Sequence, residues 1–223
     1  MYDISDENIK IYDLTYEEIL KYDVGSINKL SRYGRRFLNQ KSLPNQKIPK
    51  LSDIFDLINS KSIDDIVLNL EIKSTPVEDN LTPSPKDMVS IIKKEIEKSK
   101  LGKKILISSF DWRILKEFSI QMPNIVRGYL SFQQNTGVKI EKTIYKNSPW
   151  LDLTLEFNEY DLPRLIKQLG GKVWCPFYRD ITKKNVDMAH EEGLVVNVWT
   201  VNKENDMIPV SYTHLTLPTN REV

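Results

Sequence analysis

Two charged side chains two residues apart, Glu71 and Lys73, are the first candidates for chemistry in this sequence. They close the run IVLNLEIKS, Ile66 to Ser74. Successive side chains on a strand point to opposite faces. Ile66, Leu68, Leu70 and Ile72 therefore form one face, and Val67, Asn69, Glu71 and Lys73 the other. The first face suits packing against helices. The second ends in an amide, a carboxylate and an ammonium, as a barrel strand does where it opens into an active site. An edge strand whose Glu71 and Lys73 are solvated or paired with each other has the same pattern.

Other reactive residue types are sparse. The histidines are His190 and His214. His190 falls on a helix one turn before Gly193 and reads as structural or solvent-facing. Cys175 is the sole cysteine, so no internal disulfide can form. With no basic partner nearby in sequence it reads as a small buried apolar residue rather than a nucleophile. Ser26 to Lys50 is basic, with Arg32, Arg35, Arg36, Lys41 and Lys47. A solvated loop is the main reading there, and phosphate binding by the arginines the alternative. Phe110 and Trp199 sit late on two expected strands, where aromatics are commonly core. Trp199 shares its face with Asn197, so that face is partly polar; Trp174 and Tyr178 share another.

Alternating strands and helices position these residues. Thr15 and Glu18 form a capping-box pattern for a short helix ended by Gly25. Leu51 to Asn59 has helical apolar spacing, with Ser52 as its cap. Pro85 opens a helix to about Lys100, with Met88, Ile91, Ile92 and Ile96 as its buried stripe and Gly102 as its stop. Strands are expected at 66–74, 105–110, 125–130, 172–178 and 194–201. Helices are expected at 111–118, 162–169 and 183–192. Ser131 to Pro149 reads as polar loop. The alternation predicts one parallel α/β sheet.

Composition sets bounds. The chain has 223 residues, 40% hydrophobic and 28% charged, with a formal net charge of +1. That balance gives no global field toward nucleic acid or membrane. No apolar run reaches membrane-spanning length. No signal peptide is visible at Met1; the compartment is left open, with the cytoplasm favoured over the others. Oligomeric state is left open.

Three motifs, in order, carry a family resemblance. LNLEIKS resembles the Glu-x-Lys motif of the glycerophosphodiester phosphodiesterase family. ILISSFDWRILKEF (Ile105 to Phe118) is similar to its Ser-Phe strand and following helix. DITKKNVDMAHEEGLVVNVWTVNKENDM (Asp180 to Met207) is similar to its late helix and Trp-Thr-Val-Asn strand. DLTYEEILKYDVG (Asp13 to Gly25) resembles the segment before the Glu-x-Lys strand. The resemblance implies a TIM (β/α)8 barrel and metal-dependent hydrolysis of a small glycerophosphodiester to glycerol 3-phosphate and an alcohol, in lipid metabolism. It makes Glu71 a metal ligand, for Ca2+ or Mg2+, and Lys73 a catalytic group meeting the phosphate. It makes Phe110 and Trp199 substrate-binding walls. Alternatives are another phospholipase-like phosphodiesterase on this barrel, or a binding domain without catalysis.

Only five strands are expected where the barrel needs eight. The family's His-Arg-Gly, Glu-x-Asp and His-Asp motifs have no match here. Residues 1–207 are therefore expected to be the middle of a barrel, open rather than closed, inactive alone and binding metal weakly or not at all. Residues 208–223 are expected to be an unrelated tail.

Overall fold

The computed structural model describes residues 9–61, 65–78, 80–134, 142–151, 161–202 and 204–207. The chain divides into two compact units, Met1–Asp64 with Asn80–Pro83, and Asp65–Asp79 with Ser84–Val223.

Among the described residues the first unit holds three α-helices, α1 (Tyr16–Ile19), α2 (Arg32–Arg36) and α3 (Leu51–Lys61). Thr15 and Glu18 make the capping box that starts α1. That helix ends at Ile19, before Gly25. The Asp23 carboxylate instead organises the turn, accepting from the Gly25 N–H, the Ser26 hydroxyl and the Asn45 N–H. Ser52 lies inside α3. Its first turn is closed by the Lys50 N–H donating to Asp53 Oδ2 at 2.8 Å. Phe55 and Ile58 are buried, three residues apart on one stripe.

The second unit is one parallel sheet in the order β1 (Leu68–Glu71), β2 (Ile105–Ser109), β3 (Val126–Ser131), β4 (Val173–Pro176) and β5 (Val195–Val196). All four pairings are parallel. Helices α4 (Pro85–Ser99), α5 (Trp112–Gln121), α6 (Leu162–Gln168) and α7 (Lys183–Glu191) separate the strands. This is the expected α/β alternation, with the β1 and β5 edges open among the described residues.

Local chemistry sets the boundaries. Ser84, Asp111 and Thr182 each accept a backbone N–H at a helix start. The buried stripe of α4 is Val89, Ile92, Ile96 and Ser99; Ile91, expected inside, is 56% exposed. Lys100, in the left-handed region at φ 61°, ends this helix rather than Gly102. Gly170, at φ 74°, turns the chain from α6 toward β4, and a side chain there would be strained.

The core lies between sheet and helices. Ile105, Ile107, Tyr129 and Trp174 are buried on one sheet face, opposed by Trp112, Leu115 and Phe118 of α5. Trp112 meets Tyr129 edge-on at 4.9 Å. The segment expected as polar loop after β3 is partly core. Ile144 is 1% exposed, and Phe132 exchanges bonds with Thr143. Expectations about residues 208–223, including His214, lie outside the described residues.

Candidate functional site

Register places the candidate residues. Asn69 pairs with Leu106, Glu71 with Ser108, Ser108 with Gly128, and Leu130 with Cys175. Neighbours in register share a face. Glu71 therefore lies opposite the face that carries Ile107, Tyr129 and Trp174. Along β1, Leu68 and Leu70 are half-buried and Asn69 and Glu71 exposed, the alternation expected. The regular strand is shorter than expected, ending at Glu71, so Lys73 lies just past the ladder.

At the strands' C-terminal ends this face gathers four rings. Phe110 meets Trp199 edge-on at 5.2 Å, and Trp199 lies 5.1 Å from Phe177 and 5.9 Å from Phe132. Trp199 Nε1 donates to the Cys175 carbonyl at 3.0 Å, which fixes the indole over the end of β4. Beneath them Leu106, Leu130, Val173 and Cys175 form an apolar floor against which Phe110 and Trp199 pack. Gly128 keeps this floor tight, since a Cβ there would come within 3.2 Å of Cys175 Sγ. Burial, and secondarily the charge of Glu71, pushes the Cys175 thiol up to about 12.

Glu71 and Lys73 form an ion pair with Nζ 2.6 Å from Oε1. The Lys73 side chain is 79% exposed and that of Glu71 37%. A pair so open to water contributes little stability. The pair is a poor cation site alone. Hard cations take several oxygen ligands, and no group of three potential ligands occurs among the described residues. Among the strand residues paired in register, Glu71 is the sole carboxylate on this face, and it already faces an ammonium.

His190 lies in the last turn of α7. That helix returns to the start of β5, so His190 is at the opposite end of the sheet from Glu71. Trp174 pairs in register with Tyr129, on the face opposite Cys175, and donates to Ser131 Oγ; the Tyr178 hydroxyl donates to Asp206.

Two acids at the site end escaped the sequence reading. Asp111 is fully buried and binds Arg113 and Ser74. Asp180 accepts the Gln133 N–H at 2.8 Å, tying the loop after β4 to the end of β3. Burial raises the Asp180 carboxyl above its usual range, against the lowering by the amides of Gln133 and Gln134. The SFD run marks Asp111 as a helix cap; no sequence signal marks Asp180.

The family model for glycerophosphoryl diester phosphodiesterases matches residues 1–211. The chain belongs to this family of phosphodiester hydrolases. The match runs past Met207 into residues 208–211. A curated glycerophosphodiester phosphodiesterase of Caldanaerobacter subterraneus subsp. tengcongensis is 27% identical over 197 residues, covering 88% of this chain and 63% of the relative. A solved Silicibacter pomeroyi protein assigned to the same family is 30% identical, with a TM-score of 0.74 over 91% of this chain and 63% of that one. This chain therefore spans under two thirds of the length of either. An Oleispira antarctica phosphodiesterase, solved with the product sn-glycerol-3-phosphate, shares the fold at 18% identity and a TM-score of 0.65, over 96% of this chain and 70% of that one.

Proposed function

We propose that this chain carries the Glu71–Lys73 portion of a site that hydrolyses a glycerophosphodiester to glycerol 3-phosphate and an alcohol. The observation that supports this most is the position of the two residues. They stand at the C-terminal end of β1, on the face that bears Phe110 and Trp199, in a chain of this family. Lys73 would meet the phosphoryl charge, as an exposed ammonium can without losing much hydration. Phe110 and Trp199 would wall the carbon skeleton of the substrate. Glu71 would be one ligand of a Ca2+ or Mg2+ ion that neutralises the phosphate in the full site. The residues described do not suffice to hold such an ion, so no step is assigned to it. The acid and base that hydrolysis needs are not supplied by His190, which is at the wrong end of the sheet. The chain alone is therefore proposed to bind a small phosphate ester and not to turn it over. The product held by the Oleispira protein supports glycerol 3-phosphate as the probe.

Calorimetric titration of the purified chain with sn-glycerol 3-phosphate tests this reading. Weak binding is expected, about millimolar, falling about tenfold in Lys73→Met. Equal affinity in the variant, or none in the parent, overturns the role of Lys73. Turnover of glycerophosphocholine by the chain, dependent on added Mg2+ or Ca2+ and abolished in Glu71→Gln, overturns its inactivity.

A further inference from the structure

The ladder between β1 and β2 stops at Glu71 paired with Ser108, yet Ile72 and Ser74, the residues on either side of Lys73, are both held. The Ile72 N–H donates to the Ser108 carbonyl at 2.8 Å. Ser109 Oγ donates to the Ile72 carbonyl at 2.8 Å. Ser74 Oγ donates to Asp111 Oδ2 at 2.7 Å. Lys73 is thus flanked by one residue tied to the end of β2 and one tied to Asp111, the cap of α5.

The far side of that tie is rigid. Asp111 is 0% exposed. Its Oδ1 accepts from Arg113 Nε at 2.9 Å and from the Arg113 N–H at 3.1 Å, and its Oδ2 from Arg113 Nη2 at 2.7 Å. Its own N–H donates to Ser109 Oγ at 3.1 Å. The buried charge is met by a two-point, charge-assisted guanidinium contact and by an amide in the first turn of α5. Asp111 would keep its place without Ser74. Ser74 is therefore an added anchor on a fixed post, not a partner that Asp111 needs.

The near side is loose. The exposed pair of Glu71 and Lys73 cannot fix its own geometry, because holding two long side chains in water costs about what the attraction returns. Backbone direction at residue 73 then sets the range over which the ammonium can swing. We propose that Ser74 and Asp111 are positioning residues that aim Lys73 at Glu71 and at the phosphate of the ligand. This rests on the function proposed above for Lys73. It also explains why a buried acid and its arginine stand at the site end of the sheet, where misplacement of a reacting group by about 1 Å costs on the order of a hundredfold.

Ser74→Ala removes only the anchor, Ser74→Thr restores the hydroxyl, and Asp111→Asn keeps an acceptor oxygen for Ser74 while losing the charge. In the parent chain, NMR should give a cross-peak between the Lys73 side-chain terminus and the Glu71 methylenes. Ser74→Ala should lose it, with the melting temperature nearly unchanged. Ser74→Thr should regain it. Asp111→Asn should keep it despite a lower melting temperature. Affinity for sn-glycerol 3-phosphate should fall about fivefold in Ser74→Ala and return in Ser74→Thr. A cross-peak retained in Ser74→Ala overturns the positioning role. A parent chain with the cross-peak but no affinity for the ester overturns the proposed function and leaves the positioning of Lys73 standing.

Discussion

Cys175 lies in the apolar floor against which Phe110 and Trp199 pack. Burial is the main reason that its thiol is pushed up to about 12, and the Glu71 charge adds to it. A group whose folded value is raised holds its proton more tightly when folded. Its contribution is complete below the unfolded thiol range, about 8.5, and is lost as pH rises toward the folded value. A disulfide reagent at pH 8 should therefore label Cys175 only on unfolding, on the order of a hundredfold slower in the native chain. Prompt native labelling would contradict the burial. Asp23 titrates the other way. The Ser26 hydroxyl, then the amides of Asn45 and Gly25, hold its carboxylate below the usual range. Its contribution is present above about pH 4 and lost as pH falls through the folded value. Asp23→Ala should speed amide exchange at Gly25 and Asn45 at pH 7, and parent and variant should converge in strong acid. If exchange is equal at pH 7, Asp23 does not hold the turn. The inert cysteine and the capping Thr15 could be read from the sequence, since both follow from near neighbours. The Ser74–Asp111 bond could not, since 37 residues separate its ends.

Among the elements, α4 shows how a correct helix can hide a rotated face. Pro85 and the apolar spacing place the helix, but Met88, Val89, Ile91 and Ile92 offer two overlapping stripes. Packing chooses the one through Val89, Ile92, Ile96 and Ser99. Val89→Ala should cost about 1–3 kcal/mol, and Ile91→Ala less than about 0.5 kcal/mol, by denaturant unfolding. The reverse order would mean that α4 packs on the other face. The strands were legible as apolar runs between turn residues, and their order follows from alternation with helices. Their lengths were not. β4 ends at Pro176, which has no amide to donate, so regular pairing with β5 stops at Val196. Contact continues through the Asn197 N–H on the Trp174 carbonyl, the Trp199 N–H on the Pro176 carbonyl and the Tyr178 N–H on the Trp199 carbonyl, at the bridge of Phe177 to Trp199. That break puts Trp199 over the end of β4. A residue pattern cannot supply this displacement, because it depends on what the neighbouring strand lacks.

For the whole molecule, the consequence of five strands in sequence order is two free edges among the described residues. β1 pairs with β2 on one side and β5 with β4 on one side, and each leaves backbone donors and acceptors toward its open flank. Free edges invite pairing with a second chain unless charge or proline interrupts them. At β1 the polar end is guarded by Lys73, but the start is not. Val67, on the face of Glu71, is 70% exposed. Sedimentation velocity across the micromolar range should therefore find association that grows with concentration. Val67→Lys should reduce it, because a charge at the unguarded end of the edge opposes stacking of a second strand there. The substitution lies outside the helix-packed core, so the melting temperature should change little. A chain that stays monomeric throughout would mean that the β1 edge is not available for pairing. Association undiminished in Val67→Lys would move the contact away from β1, to the β5 edge or the aromatic wall around Trp199.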